Sequence, residues 1–280
     1  MRLFGLIGYP LSHSFSQRYF REKFRTEDIQ DADYRLFELP KVNQLPDLLR
    51  QHPELRGLNV TIPHKQTVIP LLDQLSEGAE AVGAVNVIKV GKNGRLTGYN
   101  SDVYGFEKSL KRFVNRIQEE RFGEEETAPG LHLPTLAMTL PIPNPALERS
   151  QLASLDTLVL GTGGASKAVR YVLKKNGVHF RTVSRTKGKG DFTYADLTPA
   201  LLEKYELIVN TTPLGTAPKV EQCPTLPYEV LTSRHHLFDL VYNPETTEFL
   251  RRGAARGAAT QNGMEMLHLQ ADRAWDIWEA

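Results

Sequence analysis

The sequence predicts an α/β fold, and three observations predict it. Apolar runs of strand length alternate with stretches of helical spacing through about the first hundred residues. A glycine-rich turn, Gly161-Thr162-Gly163-Gly164, lies between a β-rich run and a helical one, and restarts the alternation in the second half. The 280 residues are 40% apolar and 24% charged, proportions that suit one large globular domain or two of ordinary size.

The elements follow in order. "LFGLIG" at Leu3–Gly8 reads as a buried strand closed by a Gly-Tyr-Pro turn. "SFSQRYFREKF" reads as a helix with Phe20 and Phe24 on one face and serine hydroxyls at its start. "YRLFEL" is a second strand, and "VNQLPDLLRQH" a helix with Pro46 near its start. "LRGLNVTIPHK" is a third strand entering a turn, and "VIPLLDQLSEGAEAVG" carries helical spacing. "AVNVIKVGKNGRLTGYN" reads as a hairpin turning at Lys92-Asn93-Gly94. A helix is expected from Asp102 to about Glu120. Beyond it, Pro129, Pro134, Pro141, Pro143 and Pro145 interrupt a stretch that no single regular element accommodates, an irregular insertion at about 121–150. "LDTLVLGTGGASKAVRYVLKKNGVHFRTVSRT" then reads strand, glycine turn, helix, strand. "YELIVNTTPLG" and "HHLFDLVYNPETTEFL" start further strands, and "NGMEMLHLQADRAWDIWEA" is a closing helix.

Composition excludes several classes. With 34 basic and 33 acidic side chains the net charge is +1, so no global field draws the chain to nucleic acid or a membrane. Cys223 is the single cysteine, which allows neither an internal disulfide nor a Cys-rich zinc site. The histidines are scattered; only His235 and His236 are adjacent, and no metal is expected. The apolar run in "MRLFGLIGYP" is too short for a signal or a span, so a cytoplasmic location is the expectation.

The most readable motif is the glycine turn. Glycines at the mouth of a helix let the backbone approach a pyrophosphate held by helix N–H groups. Ser166 holds the third glycine position, so the full spacing is unmet. The following strand ends at Ser184-Arg185-Thr186, about 24 residues after Gly161, where an NAD site carries Asp or Glu to hold the ribose. A guanidinium there pairs with a 2′-phosphate instead, which favours NADP. The competing account is a solvated basic turn.

In the first half, Ser14 and Ser16 are either helix caps or, with orphan N–H groups, a carboxylate site. Lys65 is either a surface charge or an acid for a carbonyl oxygen becoming an alkoxide. Asn86 is a turn residue or a hydroxyl binder, and Asp102, in "GYNSDVYGF", a solvated Asx-turn or a carboxylate with a working partner that the residues alone do not name.

Nine motifs in fixed order now stand together: "GYPLSHSFS", "GLNVTIPHK", "GAVNV", "GYNSDVYGF", "GTGGASKA", "SRT", "NTTPLG", "DLVYNPETT" and "NGMEMLHLQA". In these the chain resembles the shikimate dehydrogenase family, over nearly its whole length except about residues 115–150. The resemblance implies an N-terminal α/β substrate domain at 1–102, completed by a C-terminal helix at 262–280. It also implies a Rossmann-like NADP-binding domain at 103–261 that carries the insertion. The implied reaction is the reversible NADPH-dependent reduction of 3-dehydroshikimate to shikimate, with no nucleic-acid or membrane partner, in a monomer or homodimer.

Lys65 and Asp102 are then the catalytic pair, expected to face each other across a cleft at the join of the domains. Ser14, Ser16, Thr61, Asn86, Asp102, Tyr242 and Gln270 are expected to hold substrate. Gly161, Gly163, Gly164, Ala165, Ser184, Arg185, Thr186, Thr212, Leu240 and Gly263 are expected to face the cofactor. The chain departs from the family's pattern at Gln17, Phe20 and Arg21, where altered helix packing is the expectation, and at Ser184, where the family often has asparagine. A quinate/shikimate dehydrogenase and a non-catalytic shikimate-binding sensor are the alternatives.

Overall fold

The computed structural model describes residues 1–11, 15–125 and 152–280, with the side chains of 121–125 excepted. The α/β class read from the sequence holds. Two compact units divide the chain: Met1–Gly105 with Leu267–Ala280, and Phe106–Met266.

The first unit is built on β1 (Arg2–Gly8), α1 (Phe15–Thr26), β2 (Ala32–Glu38), α2 (Leu45–Gln51), β3 (Leu55–Val60), α3 (His64–Thr67), β4 (Gln74–Leu75), α4 (Glu77–Val82), β5 (Val87–Val90) and β6 (Leu96–Tyr99). Its sheet runs β2-β1-β3-β5-β6-β4. It is mixed: β1 pairs parallel with β2 and β3, while β5 is antiparallel to both β3 and β6. Alternation along β1 sends side chains to opposite faces. Leu3 and Ile7 join a core with Leu45, Leu48 and Leu58, and Phe4 and Leu6 join another with Phe20, Phe24, Tyr34 and Trp275. Phe20, one of the departures from the family's pattern, is fully buried and stacks on Tyr34 with ring centroids 4.6 Å apart. Trp278 packs flat against β3: a Cβ at Gly57 would overlap its indole, whose Nε1 donates to the Ile88 carbonyl at 3.1 Å.

One expected helix is broken. "VIPLLDQLSEGAEAVG" contains a short 3-10 turn with Pro70, then β4, and only then α4, started by the Ser76 hydroxyl accepting from the Ala79 N–H at 3.3 Å. Proline and the serine cap divide what apolar spacing alone joins.

α5 (Ser101–Glu125) leads into the second unit, followed by β7 (Thr157–Leu160), α6 (Gly164–Lys175), β8 (Phe180–Ser184), β9 (Phe192–Thr193), α7 (Pro199–Leu202), β10 (Leu207–Asn210), β11 (His236–Asp239), α8 (Glu248–Ala254), β12 (Ala259–Gln261) and α9 (Met264–Glu279), whose later turns belong to the first unit. The six strands of the second sheet run β12-β11-β10-β7-β8-β9 and all pair parallel. In strand order this is the doubly wound arrangement 3-2-1-4-5-6, with its switch point between β7 and β10. Leu158, Leu160, Val183, Ile208 and Leu237 form one face of the core with Phe249 and Leu250 of α8. Phe238 meets Phe106 and Phe113 of α5 edge-on, at 5.3 and 6.1 Å. Of the insertion expected at about 121–150, residues 126–150 lie outside the described residues. Among the described residues no helix is long and apolar enough to cross a membrane.

Candidate active site and nucleotide hollow

The "HK" of the second motif lies on a helix. β3 stops at Val60, the Thr61 N–H donates to the Ile7 carbonyl at 2.9 Å, and the chain turns into the single turn α3 that carries Lys65. The Lys65 carbonyl accepts from the Val85 N–H at 2.7 Å, which ties this turn to the loop before β5. Asp102 occupies the first turn of α5, where helix N–H groups favour a carboxylate. Asn100 starts that helix: its Oδ1 accepts from the Val103 N–H at 3.3 Å, and its Nδ2 donates to the Ala84 carbonyl at 2.9 Å.

These two helix starts bring Lys65 and Asp102 together. Lys65 Nζ donates to Asp102 Oδ2 at 2.8 Å, with the lysine side chain 35% exposed and the aspartate 14%. The pair is in direct contact rather than separated across a cleft. Both residues stand in the first unit and touch directly, because α5 begins beside the β5–β6 hairpin. It also sets aside the solvated Asx-turn. Asn86 Nδ2 donates to the other carboxylate oxygen at 2.9 Å and also lies 3.1 Å from Ser101 Oγ and 3.4 Å from Gln270 Oε1. Asn86 Oδ1 accepts from the Ser101 N–H at 2.7 Å. The amide is therefore occupied in holding Asp102. One face of the lysine remains open to solvent, and an ammonium so placed can meet a carbonyl oxygen.

Lys65, Asn86, Asp102 and Gln270 thus form one cluster. Thr61 lies four residues before Lys65, at the end of β3. Ser16 is half-buried on α1 beside the Tyr34 hydroxyl, which donates to Asn59 Oδ1 at 2.7 Å. Ser14 lies outside the described residues. Tyr242 belongs to the second unit and follows β11, with 37% of its surface exposed. Ser101 was missed by sequence reading, since nothing in "NSD" marks it as the residue that Asn86 grips.

The second unit carries a hollow of about 380 Å³ at the carboxyl ends of its strands. Gly161 and Gly163 enter it from β7, Ser184, Arg185 and Thr186 from β8, and Thr212 from β10. The hollow therefore opens at the switch point where doubly wound sheets bind ligands. Gly161 has φ +105, and a Cβ there would sit 2.8 Å from Thr211 Oγ1, so only glycine fits. A Cβ at Gly163 or Gly164 would meet nothing within 4 Å, which leaves open space before the first turn of α6. Ser184 is buried, and its Oγ accepts from the Thr186 N–H at 3.2 Å and from Thr162 Oγ1 at 3.4 Å, bending the chain after β8. Thr212 is held by Asn210, whose Oδ1 accepts from its N–H at 3.0 Å and its hydroxyl at 2.7 Å. Asn210 donates in turn to the fully buried Asp239 at 2.9 Å.

Among the described residues no carboxylate lines this hollow, and Arg185 does. Open backbone before a helix start, with a guanidinium and no acid, fits a dinucleotide bearing a 2′-phosphate. Gly164 and Ala165 open α6 beside it. Leu240 and Gly263 are not among its lining residues and pack on each other: the Gly263 N–H donates to the Val241 carbonyl at 3.1 Å, and a Cβ at Gly263 would overlap the Leu240 carbonyl. Lys189, Tyr194 and Thr211 also line the hollow and were missed. "KGKGDFTY" shows where a basic run lies, but not that the connection after β8 folds back. Among the described residues no cluster of His, Cys, Asp or Glu has the makings of a metal site.

Residues 6–88 match the family described as the shikimate dehydrogenase substrate binding domain. Shikimate dehydrogenase (NADP(+)) of Desulforamulus reducens is 34% identical over 98% of this chain and 88% of its own. Among solved structures, shikimate dehydrogenase of Aquifex aeolicus superposes with a TM-score of 0.75 at 30% identity, over 99% of this chain and 92% of that one. Shikimate 5-dehydrogenase of Thermus thermophilus, in complex with NADP(H) and shikimate, gives a TM-score of 0.74 at 26% identity, over 99% and 93%. With a relative this similar along nearly its full length, and with both sites in the strand-end positions the motifs required, the chain belongs to the shikimate dehydrogenase family.

Proposed function

We propose that the chain reduces 3-dehydroshikimate to shikimate with NADPH, reversibly, with Lys65 and Asp102 as its acid–base pair. The observation that carries this reading is the 2.8 Å contact between Lys65 Nζ and Asp102 Oδ2, braced from behind by Asn86. Bound NADPH supplies the hydride that adds to the carbonyl carbon. As that carbon is reduced, its oxygen gathers negative charge and takes a proton from the Lys65 ammonium, so the product is the alcohol. In the oxidative direction the neutral amine accepts the hydroxyl proton. Asp102 fixes the direction of the lysine and offsets its charge; Asn86 fixes Asp102. Ser14, Ser16, Thr61, Tyr242 and Gln270 are assigned to the substrate's carboxylate and hydroxyls. Gly161, Gly163, Gly164, Ala165, Ser184, Arg185, Thr186, Thr212, Leu240 and Gly263 are assigned to the cofactor. We place the enzyme in the cytoplasm, as a monomer or homodimer.

The test is steady-state oxidation of shikimate and of quinate, each with NADP and with NAD. Fast turnover of shikimate with NADP, and little with quinate or NAD, is expected. Comparable rates on quinate would make this a quinate/shikimate dehydrogenase. Shikimate binding without turnover would make it a sensor.

A further inference from the structure

We propose that Asp239 is a positioning residue for the cofactor: it fixes which way the Asn210 amide faces, and so holds Thr212 and the turn after β10 in the shape that lines the nucleotide hollow. The inference rests on reading the hollow as an NADP site.

Asp239 ends β11, is fully buried, and is not among the residues that line the hollow. It acts through its neighbours. Its Oδ1 accepts from Asn210 Nδ2 at 2.9 Å and from the Val241 N–H at 3.0 Å, and its Oδ2 accepts from the Thr247 hydroxyl at 2.6 Å. One carboxylate thereby gathers the end of β10, the turn after β11 and the start of α8, which Thr247 caps. The path to the hollow runs through Asn210. Its Oδ1 accepts from the Thr212 N–H at 3.0 Å and from the Thr212 hydroxyl at 2.7 Å. The Thr212 oxygen accepts in turn from the Leu214 N–H at 3.4 Å. Thr211, Thr212, Pro213 and Leu214 make up the β10 side of the lining.

An amide has a donor end and an acceptor end of nearly the same shape, so packing alone does not choose between its two orientations. Asp239 chooses. An ionised carboxylate only accepts, so Asn210 must turn its nitrogen to Asp239 and its oxygen to Thr212. Reversed, the amide nitrogen would face the Thr212 N–H, and two donors would be left without an acceptor. Stability alone does not account for an acid here. Burial raises the Asp239 carboxyl to about 6, opposed by the hydrogen bonds from Thr247, the Val241 N–H and Asn210. An apolar side chain of similar volume would avoid that cost, but it would leave the Asn210 amide unaimed.

The test is calorimetric titration of NADP and of shikimate into the wild type and three variants, with the melting temperature of each. Asp239→Leu nearly keeps the volume and removes the acceptor. It is expected to bind NADP about tenfold more weakly, the scale of a hydrogen bond lost from the site, and shikimate as the wild type does. Asp239→Asn is the conservative rescue. The Val241 N–H claims its amide oxygen, which still accepts from Asn210, so NADP should bind as tightly as to the wild type. Thr247→Val removes the bond to the other carboxylate oxygen together with the cap of α8; it should lower the melting temperature and leave NADP affinity unchanged. Where Asp239→Leu does not fold, Asn210→Thr takes its place with the same loss expected, since threonine suits a strand and is too short to bridge Asp239 and Thr212. Wild-type NADP affinity in Asp239→Leu, or in Asn210→Thr in its stead, overturns the proposal. So does an equal loss in Thr247→Val or toward shikimate, which would tie affinity to stability, and so does an Asp239→Asn variant that binds NADP no better than Asp239→Leu. If the wild type itself does not bind NADP, the reading of the hollow as an NADP site falls, and this inference with it.

Discussion

In the first unit the Lys65 ammonium, the Asp102 carboxylate and the Asn86 amide satisfy one another. In the second, Arg185 and Lys189 line the hollow, and among the described residues no carboxylate lines it with them. The first site is organised by side chains bonded to side chains. The second is organised by backbone: a left-handed glycine, a helix start, and turns folded tightly by Ser184 and Asn210. The difference follows from what each must do. A group that moves a proton needs a fixed partner before substrate arrives. A site that binds a phosphate needs donors left open for it.

Removing a member of the bonded cluster should therefore have the largest effect. Lys65→Ala is expected to lower kcat by about 10²–10⁴, the usual worth of a positioned acid, with a much smaller change in shikimate affinity. Asp102→Asn should also cut kcat. The double variant should lose little more than the worse single one, because the two act as a unit. Single-turnover and steady-state rates on folded variants check this, and fully additive losses would separate their roles.

The network behind the hollow holds an acid of a different kind. Burial pushes the Asp239 carboxyl from its ordinary 3.8 up to about 6, against the hydrogen bonds from Thr247, the Val241 N–H and Asn210. Between those values the folded chain holds a proton that the unfolded chain has released. This contribution to stability is fully present below 3.8 and is lost as pH rises through about 6. The shift corresponds to at most about 3 kcal/mol. Denaturant titrations from pH 4 to pH 7 should show wild type losing stability relative to Asp239→Asn across that window. A constant gap would mean the carboxylate is ionised throughout.

Arg185 tests the open site. Arg185→Ala is expected to raise KM for NADP by tenfold or more and to leave NAD kinetics nearly unchanged, since a hydrogen bond to a charged group is worth roughly 1.5–3 kcal/mol. Lys189 and Thr186 keep part of the phosphate affinity, so the switch is incomplete. The measurement is kcat/KM for both cofactors at fixed salt, because exposed charges are screened. Equal use of both cofactors by the wild type would remove the phosphate clamp from the account.

The same contrast explains what the sequence disclosed. Elements set by apolar runs and turn residues were legible: β1 as a buried strand, the hairpin turning at Gly94, the glycine turn before α6. Lys65 and Asp102 were legible through their motifs, but their direct contact was not, because it depends on where α3 and α5 begin relative to the β5–β6 hairpin. Asn86 was seen as a hydroxyl binder, although its amide is spent on Asp102, Ser101 and Gln270. Lys189 and Tyr194 were invisible for a different reason. No local signal says that residues 185–191 omit a helix and fold back on β8; the Asp191–Thr182 clamp that makes them do so is a tertiary contact.

The smallest expected effect lies at Ser184, which departs from the asparagine common in the family. Its hydroxyl does not reach outward; it accepts from the Thr186 N–H and the Thr162 hydroxyl, and so shapes the bend that presents Arg185. Ser184→Ala removes one neutral, buried hydrogen-bond acceptor, worth about 1 kcal/mol. NADP should bind about three- to fivefold more weakly, with NAD weakened less, because the bend matters most where the phosphate sits. Shikimate KM and the Lys65-dependent step should not change, since that cluster is braced by its own bonds. Titration of each nucleotide and of shikimate into the variant measures all three. Equal weakening of NADP and NAD would show that the serine shapes the whole hollow, and a change in shikimate KM would show that the two sites are not organised independently.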